Sequence, residues 1–321
     1  MSTTAAPQAP TPHYANPTIA SKEMSSARKA AAALLPHAKI IRHASSSRGH
    51  ADHGWLNTFH TFSFSSYYDA RYQNHGALRV LNEDRVAPKS GFPTHPHRDA
   101  EIFSYILSGE LTHRDSLSSK KGKGELTDHD FFIMKRGDVQ FTTGGTGIAH
   151  SEQNEHERDT VHFLQIWVLP WKRGLKPNYH TKTYEEGRKR EGWVTIVSPL
   201  QAGPEATAEQ EKEAKPAIEG SIPIHADFLM GAAIIPEGKG FGWKIGGGVV
   251  RSERGRKAFV HLPKSKHGES RVRVAGKEDV VLEEGDGAFV SGVNSGDVLS
   301  VESVGEGEAE VVVFDSEGKD Y

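Results

Sequence analysis

Residues 91–109 read Gly-Phe-Pro-Thr-His-Pro-His-Arg-Asp-Ala-Glu-Ile-Phe-Ser-Tyr-Ile-Leu-Ser-Gly. The second half, Ala100 to Leu107, is a short β-branched and aromatic run closed by Gly109, the pattern of a strand that ends in a turn. The first half carries the chemistry, two histidines on either side of a proline. Along an extended chain, residues two apart share a face, so His95 and His97 can converge on one ion. Pro96 fixes its own φ and pushes His95 toward an extended conformation, which favours that geometry.

Working outward, the same strand pattern recurs. Thr58 to Ser65, Ala77 to Leu81 and Val161 to Leu169 are similar runs, followed by Trp193 to Val197, Ala258 to Leu262, Arg271 to Val274, Val280 to Leu282 and Ala309 to Phe314. Many short strands with Gly-rich turns predict an all-β sandwich or barrel. At roughly 150 residues per domain, 321 residues suggest two domains. A weak repeat divides them near residue 185. Arg136-Gly137-Asp138 and Glu284-Gly285-Asp286 each lead into a strand, and Gly276 stands as a counterpart of Gly109. Residues 201–220 are polar and Glu/Lys-rich, and predict a surface insertion with a short helix and solvated charges. Ser116 to Lys123 predicts a polar hairpin tip.

Of 18 histidines, 12 lie between His43 and His162. His150-Ser151-Glu152 repeats the two-residue spacing of the first pair, after the small residues Gly144-Gly145-Thr146-Gly147. Two such pairs on different strands of one barrel offer three imidazoles and a carboxylate, with positions of an octahedral ion left open. Glu152 is also the carboxylate that could act as a base. Iron(II) suits mixed nitrogen and oxygen donors better than zinc, and copper, nickel, cobalt and manganese remain alternatives. His60 and His113 are expected to be hydrogen-bonded barrel residues.

The run Gly91 to Arg98, followed by Glu101 to Tyr105, Gly109 and His113-Arg114-Asp115-Ser116, resembles the pirin family of the cupin superfamily. Arg48-Gly49-His50, His53-Gly54-Trp55, Phe59 to Phe64, Gly145 to Glu152 and Gln165-Ile166-Trp167 complete the resemblance. It implies a bicupin, two antiparallel double-stranded β-helix (jelly-roll) barrels packed face to face. Residues 39–185 would form a metal-binding barrel, and residues 186–321 a metal-free one. The family's ligands carry over to His95, His97, His150 and Glu152. The resemblance further implies a metal-dependent dioxygenase similar to the quercetin 2,3-dioxygenases, which open a flavonol with O2 and release CO. The alternative it implies is an iron-binding nuclear cofactor of transcription with a protein partner and no dedicated substrate.

Composition narrows the classes. Thirty-nine Lys+Arg against 42 Asp+Glu leave a net charge of −3, without the basic surplus that direct nucleic-acid binding needs. The absence of cysteine excludes disulfides, thiolate metal sites and cysteine nucleophiles. No stretch approaches the roughly 18 apolar residues of a membrane span. Residues 1–38 lack a secretory signal and predict a disordered tail, with a mitochondrial presequence as the alternative. A cytoplasmic location is expected, nuclear if the regulator reading holds.

Overall fold

The computed structural model describes residues 35–115, 131–250, 255–265 and 268–319. Strands dominate, in the order β1 (Lys39–His43), β2 (Gly49–Asp52), β3 (Leu56–His60), β4 (Leu78–Val86), β5 (Ser90–His97), β6 (Glu101–Ser108), β7 (Leu111–Asp115), β8 (Phe132–Met134), β9 (Asp138–Thr143), β10 (Ile148–Asn154), β11 (Val161–Val168) and β12 (Asn178–Thr183). A short helix, Glu186–Glu191, leads to β13 (Val194–Pro199). The insertion helix Ala208–Glu213 follows, then β14 (Ile222–Ile224), β15 (Phe228–Ile235), β16 (Gly240–Lys244), β17 (Arg256–His261), β18 (Arg271–Val274), β19 (Val281–Glu283), β20 (Gly287–Val293), β21 (Val298–Ser303) and β22 (Ala309–Glu317).

Each half contains one seven-stranded and one four-stranded sheet. The first half orders them β12-β9-β6-β11-β4-β3-β2 and β5-β10-β7-β8. The second half orders them β1-β20-β17-β22-β15-β13-β14 and β16-β21-β18-β19, so the four-stranded sheets and the central strands of the large sheets correspond, while the edges differ, β14 running parallel to β13 where β2 is antiparallel to β3. The chain is therefore an all-β bicupin. Both Gly-Asp turns occupy the same place, Gly137 and Gly285 each with φ 86 just before β9 and β20. In each, the aspartate accepts a bond from a backbone N–H three residues earlier, Lys135 N to Asp138 and Glu283 N to Asp286. Gly276 does not correspond to Gly109. It turns the β18–β19 hairpin, because the connection after β17 is longer than the one after β6.

Period-two alternation decides what each strand face meets. On β6, Phe103, Tyr105 and Leu107 point to the seam between barrels, and on β11 so do Leu164, Ile166 and Val168. Across the seam stand Phe228, Met230, Phe259 and Phe314, with Phe103 and Phe228 rings 6.5 Å apart. The two large sheets thus pack face to face on one apolar layer, each buried Phe contributing about 2–3 kcal/mol. The opposite faces of β6 and β11 carry Ser104 and Gln165, which are Cα partners, and line the lumen of the first barrel.

Three features differ from the sequence reading. Strand β4 runs on through Asn82-Glu83-Asp84-Arg85, because Asn82, Glu83 and Asp84 alternate between a polar lumen and the seam instead of meeting solvent. At the seam, Glu83 is fully buried against Arg48 (2.8 Å) and His162 (3.0 Å), and accepts a bond from Lys264 N of the other barrel at 2.7 Å. The first barrel does not begin at residue 39. Strand β1 pairs with β20, Lys39 opposite Ser291 and His43 opposite Gly287, so it belongs to the second barrel's sheet. Leu35 and Ala38, within the predicted tail, are 4% and 5% exposed in that barrel's core. The rest of the tail, residues 1–34, and the hairpin tip at 116–123 lie outside the described residues. The insertion does form a helix, but Glu211 on it is ion-paired to Lys172 (3.0 Å) and bonded to His225 (2.7 Å), not solvated.

Candidate metal centre

Strands β5, β10 and β7 lie side by side, and their register builds the site. His150 on β10 is the Cα partner of both His95 on β5 and Asp115 on β7. The pairing of β5 with β10 slips by one residue between His150 and Glu152, so Glu152 lies opposite Phe92. The extra residue bulges β5 at Pro93–Thr94, where a proline without a donor suits broken pairing. The Pro93 carbonyl then accepts a bond from His95 Nδ1 at 2.8 Å.

Three of the four sequence-predicted ligands converge. His95, His97 and His150 offer nitrogens that all lie within 4.8 Å of one another. His150 is buried, whereas His95 and His97 are partly open to solvent. With Nδ1 of His95 donating to Pro93, its Nε2 keeps a lone pair. That atom stands 3.1 Å from His150 Nε2. Burial, then the neighbouring imidazole of His95, lowers the pKa of His97 to about 4. Burial, then His97 and His95, lowers that of His150 to about 3. Both rings are neutral at pH 7, so each keeps one nitrogen with a free lone pair to offer. A divalent transition cation fits this donor set.

The fourth residue is placed differently. Glu152 lies outside the group of converging donor atoms. It is 1% exposed in the lumen, where Ser104 Oγ donates to Oε1 at 2.9 Å and Gln165 Nε2 donates to Oε2 at 2.8 Å. Its orientation is set by two strands of the opposite sheet, which no local spacing reveals.

The surroundings are aromatic at the rim and polar inside. Trp167 meets His97 edge-on with ring centroids 4.9 Å apart, and Phe92 lies between Trp55 and His95. Deeper, His60 bonds Asn82 at 2.8 Å and His113 bonds His150 at 2.8 Å, so both are hydrogen-bonded barrel residues. The sequence reading missed Asp84. Burial raises its pKa to about 7, against the opposing bond from Thr58, making it a lumen carboxyl that changes protonation near neutrality. The signal was available in the unbroken polar run Asn82 to Arg85 next to an apolar strand.

A family model described as Pirin matches residues 41–168. A Pseudomonas aeruginosa protein named "Putative quercetin 2,3-dioxygenase" is 35% identical over 79% of this chain and 95% of its own length. The chain belongs to the pirin family. An Escherichia coli "Quercetin 2,3-dioxygenase" is 34% identical over 59% of this chain and 69% of its own. Among solved pirin-family structures, that of YhhW from Escherichia coli superposes with a TM-score of 0.68 at 27% identity, covering 88% of this chain and all of the other. The bacterial pirin YhhW in complex with nickel(II) superposes with a TM-score of 0.67 at the same identity and coverage. Among the described residues, no helix is long and apolar enough to cross a membrane.

Proposed function

We propose that this pirin is a metal-dependent dioxygenase of the quercetin 2,3-dioxygenase type, opening a flavonol with O2 and releasing CO. The observation that carries the reading is the converging triad His95, His97 and His150, half open to solvent at the mouth of a polar lumen. The names of the relatives point the same way. Iron(II) is the proposed resident ion, and a nickel(II) complex of a related pirin keeps nickel as the first alternative.

His95, His97 and His150 would hold a divalent cation, which would supply Lewis acidity toward the 3-hydroxyl and neighbouring carbonyl oxygens of a flavonol. The chain's own residues do the rest. Trp167 and Phe92 form an aromatic rim against which a flat polyphenol can stack. Glu152 is the carboxylate proposed to take the 3-hydroxyl proton. Ser104 and Gln165 each occupy one lone pair of its oxygens and fix its orientation. A fourth-ligand role for Glu152 is the competing proposal.

Metal analysis of the purified protein, followed by oxygen uptake with a panel of flavonols, tests the reading. Uptake with CO release is expected. A metal-replete protein that consumes no oxygen with any flavonol would overturn it and leave the regulator reading. Glu152→Gln separates the two roles. If Glu152 is a base, turnover falls by well over about 100-fold while metal stays bound; if it is a ligand, activity falls in step with metal content.

A further inference from the structure

His150 is supported from behind. His113 on β7 is 0% exposed, and its Nε2 lies 2.8 Å from His150 Nδ1. Its other nitrogen, Nδ1, is buried without a hydrogen-bond partner and lies 4.0 Å from the carboxylate of Asp115, two residues along the same strand. Tyr179 on β12 stacks on the His113 ring at 5.2 Å between centroids and 27° between planes, and Phe132 stacks on Tyr179 in turn. The plane of His113 is therefore set by packing, and its two nitrogens are aimed at fixed points.

Only one proton arrangement leaves His150 able to bind a cation through Nε2. If His113 Nε2–H donated, His150 would accept at Nδ1 and carry its own proton on Nε2, facing His95. In the reverse arrangement, His150 Nδ1–H donates to His113 Nε2, and the His113 proton sits on Nδ1, on the side of Asp115. We infer that His113 is a positioning residue of the metal centre, accepting the Nδ1–H of His150 and directing its own Nδ1–H toward Asp115. The 4.0 Å gap exceeds a hydrogen bond by roughly 1 Å, so in this structure Asp115 acts on the His113 Nδ1–H as a nearby negative charge. His95 is served by a backbone carbonyl at Pro93, so His150 is the ligand whose support a side-chain substitution can remove. Such supporting partners fix the tautomer and raise the basicity of a ligating imidazole, and their loss typically costs about 10–100-fold in metal affinity.

This inference rests on the metal-binding reading, and the test keeps the two apart. Nickel(II) affinity of the full chain is measured by competition with a chelating dye, alongside the melting temperature of the metal-free protein. Wild type should bind one nickel per chain and His97→Ala none. Wild type without uptake, or His97→Ala with full uptake, would sink the metal reading itself. His113→Leu should weaken nickel by about 10–100-fold without moving the metal-free melting temperature by more than a few degrees. His113→Gln should recover most of the affinity, because its amide oxygen can accept the same N–H. Wild-type affinity in His113→Leu overturns the inference, and so does an equal loss in both variants, which would assign the effect to packing. Should His113→Leu fail to fold, Asp115→Asn decides. A loss of affinity there supports the relay, and unchanged affinity overturns it.

Discussion

The two barrels share their central strand order and differ in what fills them. In the first, strands facing the lumen carry Asn82, Asp84, Ser104, Gln140, Glu152 and Gln165, all buried. In the second, the lumen is packed with Leu229, Val260, Val272, Val290, Leu299 and Val301. Strand β16 occupies the place of β5, and where β5 has His95 and His97, β16 has Phe241 and Trp243. Trp243 closes the lumen against Gly231, where a Cβ would stand 2.4 Å from the indole. Strand β21, in the place of β10, carries Val301 opposite Phe241 as β10 carries His150 opposite His95. One arrangement thus supports either a polar chamber or a mainly apolar core, whose buried Asp315 is satisfied by Arg256, Trp243 and Gly246. A polar chamber forgoes about 1.5–3 kcal/mol for each side chain that is not apolar, and each buried polar group then needs a partner.

The comparison breaks first at the ligands. His97→Ala should lower metal affinity by more than the roughly 100-fold that loss of a supporting group costs, while far-ultraviolet circular dichroism stays unchanged. Full metal content in this variant would show that the triad is not the site. The mirror-image change is Trp243→Ala. It should destabilise the protein by about 3–5 kcal/mol in urea unfolding, since a large core side chain is removed, yet leave metal stoichiometry at the wild-type value. Metal loss there would mean that the barrels are coupled more tightly than the comparison implies.

The smallest effect tests the strap between barrels. His225, beside β14, sits between Glu101 of the first barrel (2.8 Å) and Glu211 of the insertion (2.7 Å). Burial opposes its charge, but the two carboxylates together raise its pKa above the ordinary 6.5. A raised histidine pKa contributes stability that is fully present below the unfolded value and is lost as pH rises through the folded one. Glu211→Gln should therefore cost about 1 kcal/mol at pH 6 and progressively less toward pH 9, followed by urea unfolding across that range. A cost independent of pH would remove the charge from the explanation.

How much of this was legible in the sequence depends on how local each cause is. The His95 and His97 pair could be read because a period of two and a proline act within three residues. The Gly137 and Gly285 turns could be read for the same reason, as each is closed by its own aspartate. The placement of Glu152 could not, because Ser104 and Gln165 arrive from β6 and β11. The predicted strand stops at Leu81 because the partners of Glu83, Arg48 and Lys264, come from distant segments. Glu211 looked solvated until its partners Lys172 and His225 came from distant segments.

Strand β1 has a consequence for the order in which the molecule can assemble. Its partner, β20, lies nearly the whole chain away, Lys39 opposite Ser291. On a ribosome, every strand of the first barrel emerges before that partner exists, so the first barrel can form while Lys39–His43 waits unpaired. The last closure therefore carries the largest loop entropy in the fold and is expected to be its slow step. It also means that the halves are not separable by a cut near residue 185. A fragment of the second half alone would present β20 as a bare edge, the kind of surface on which β proteins aggregate.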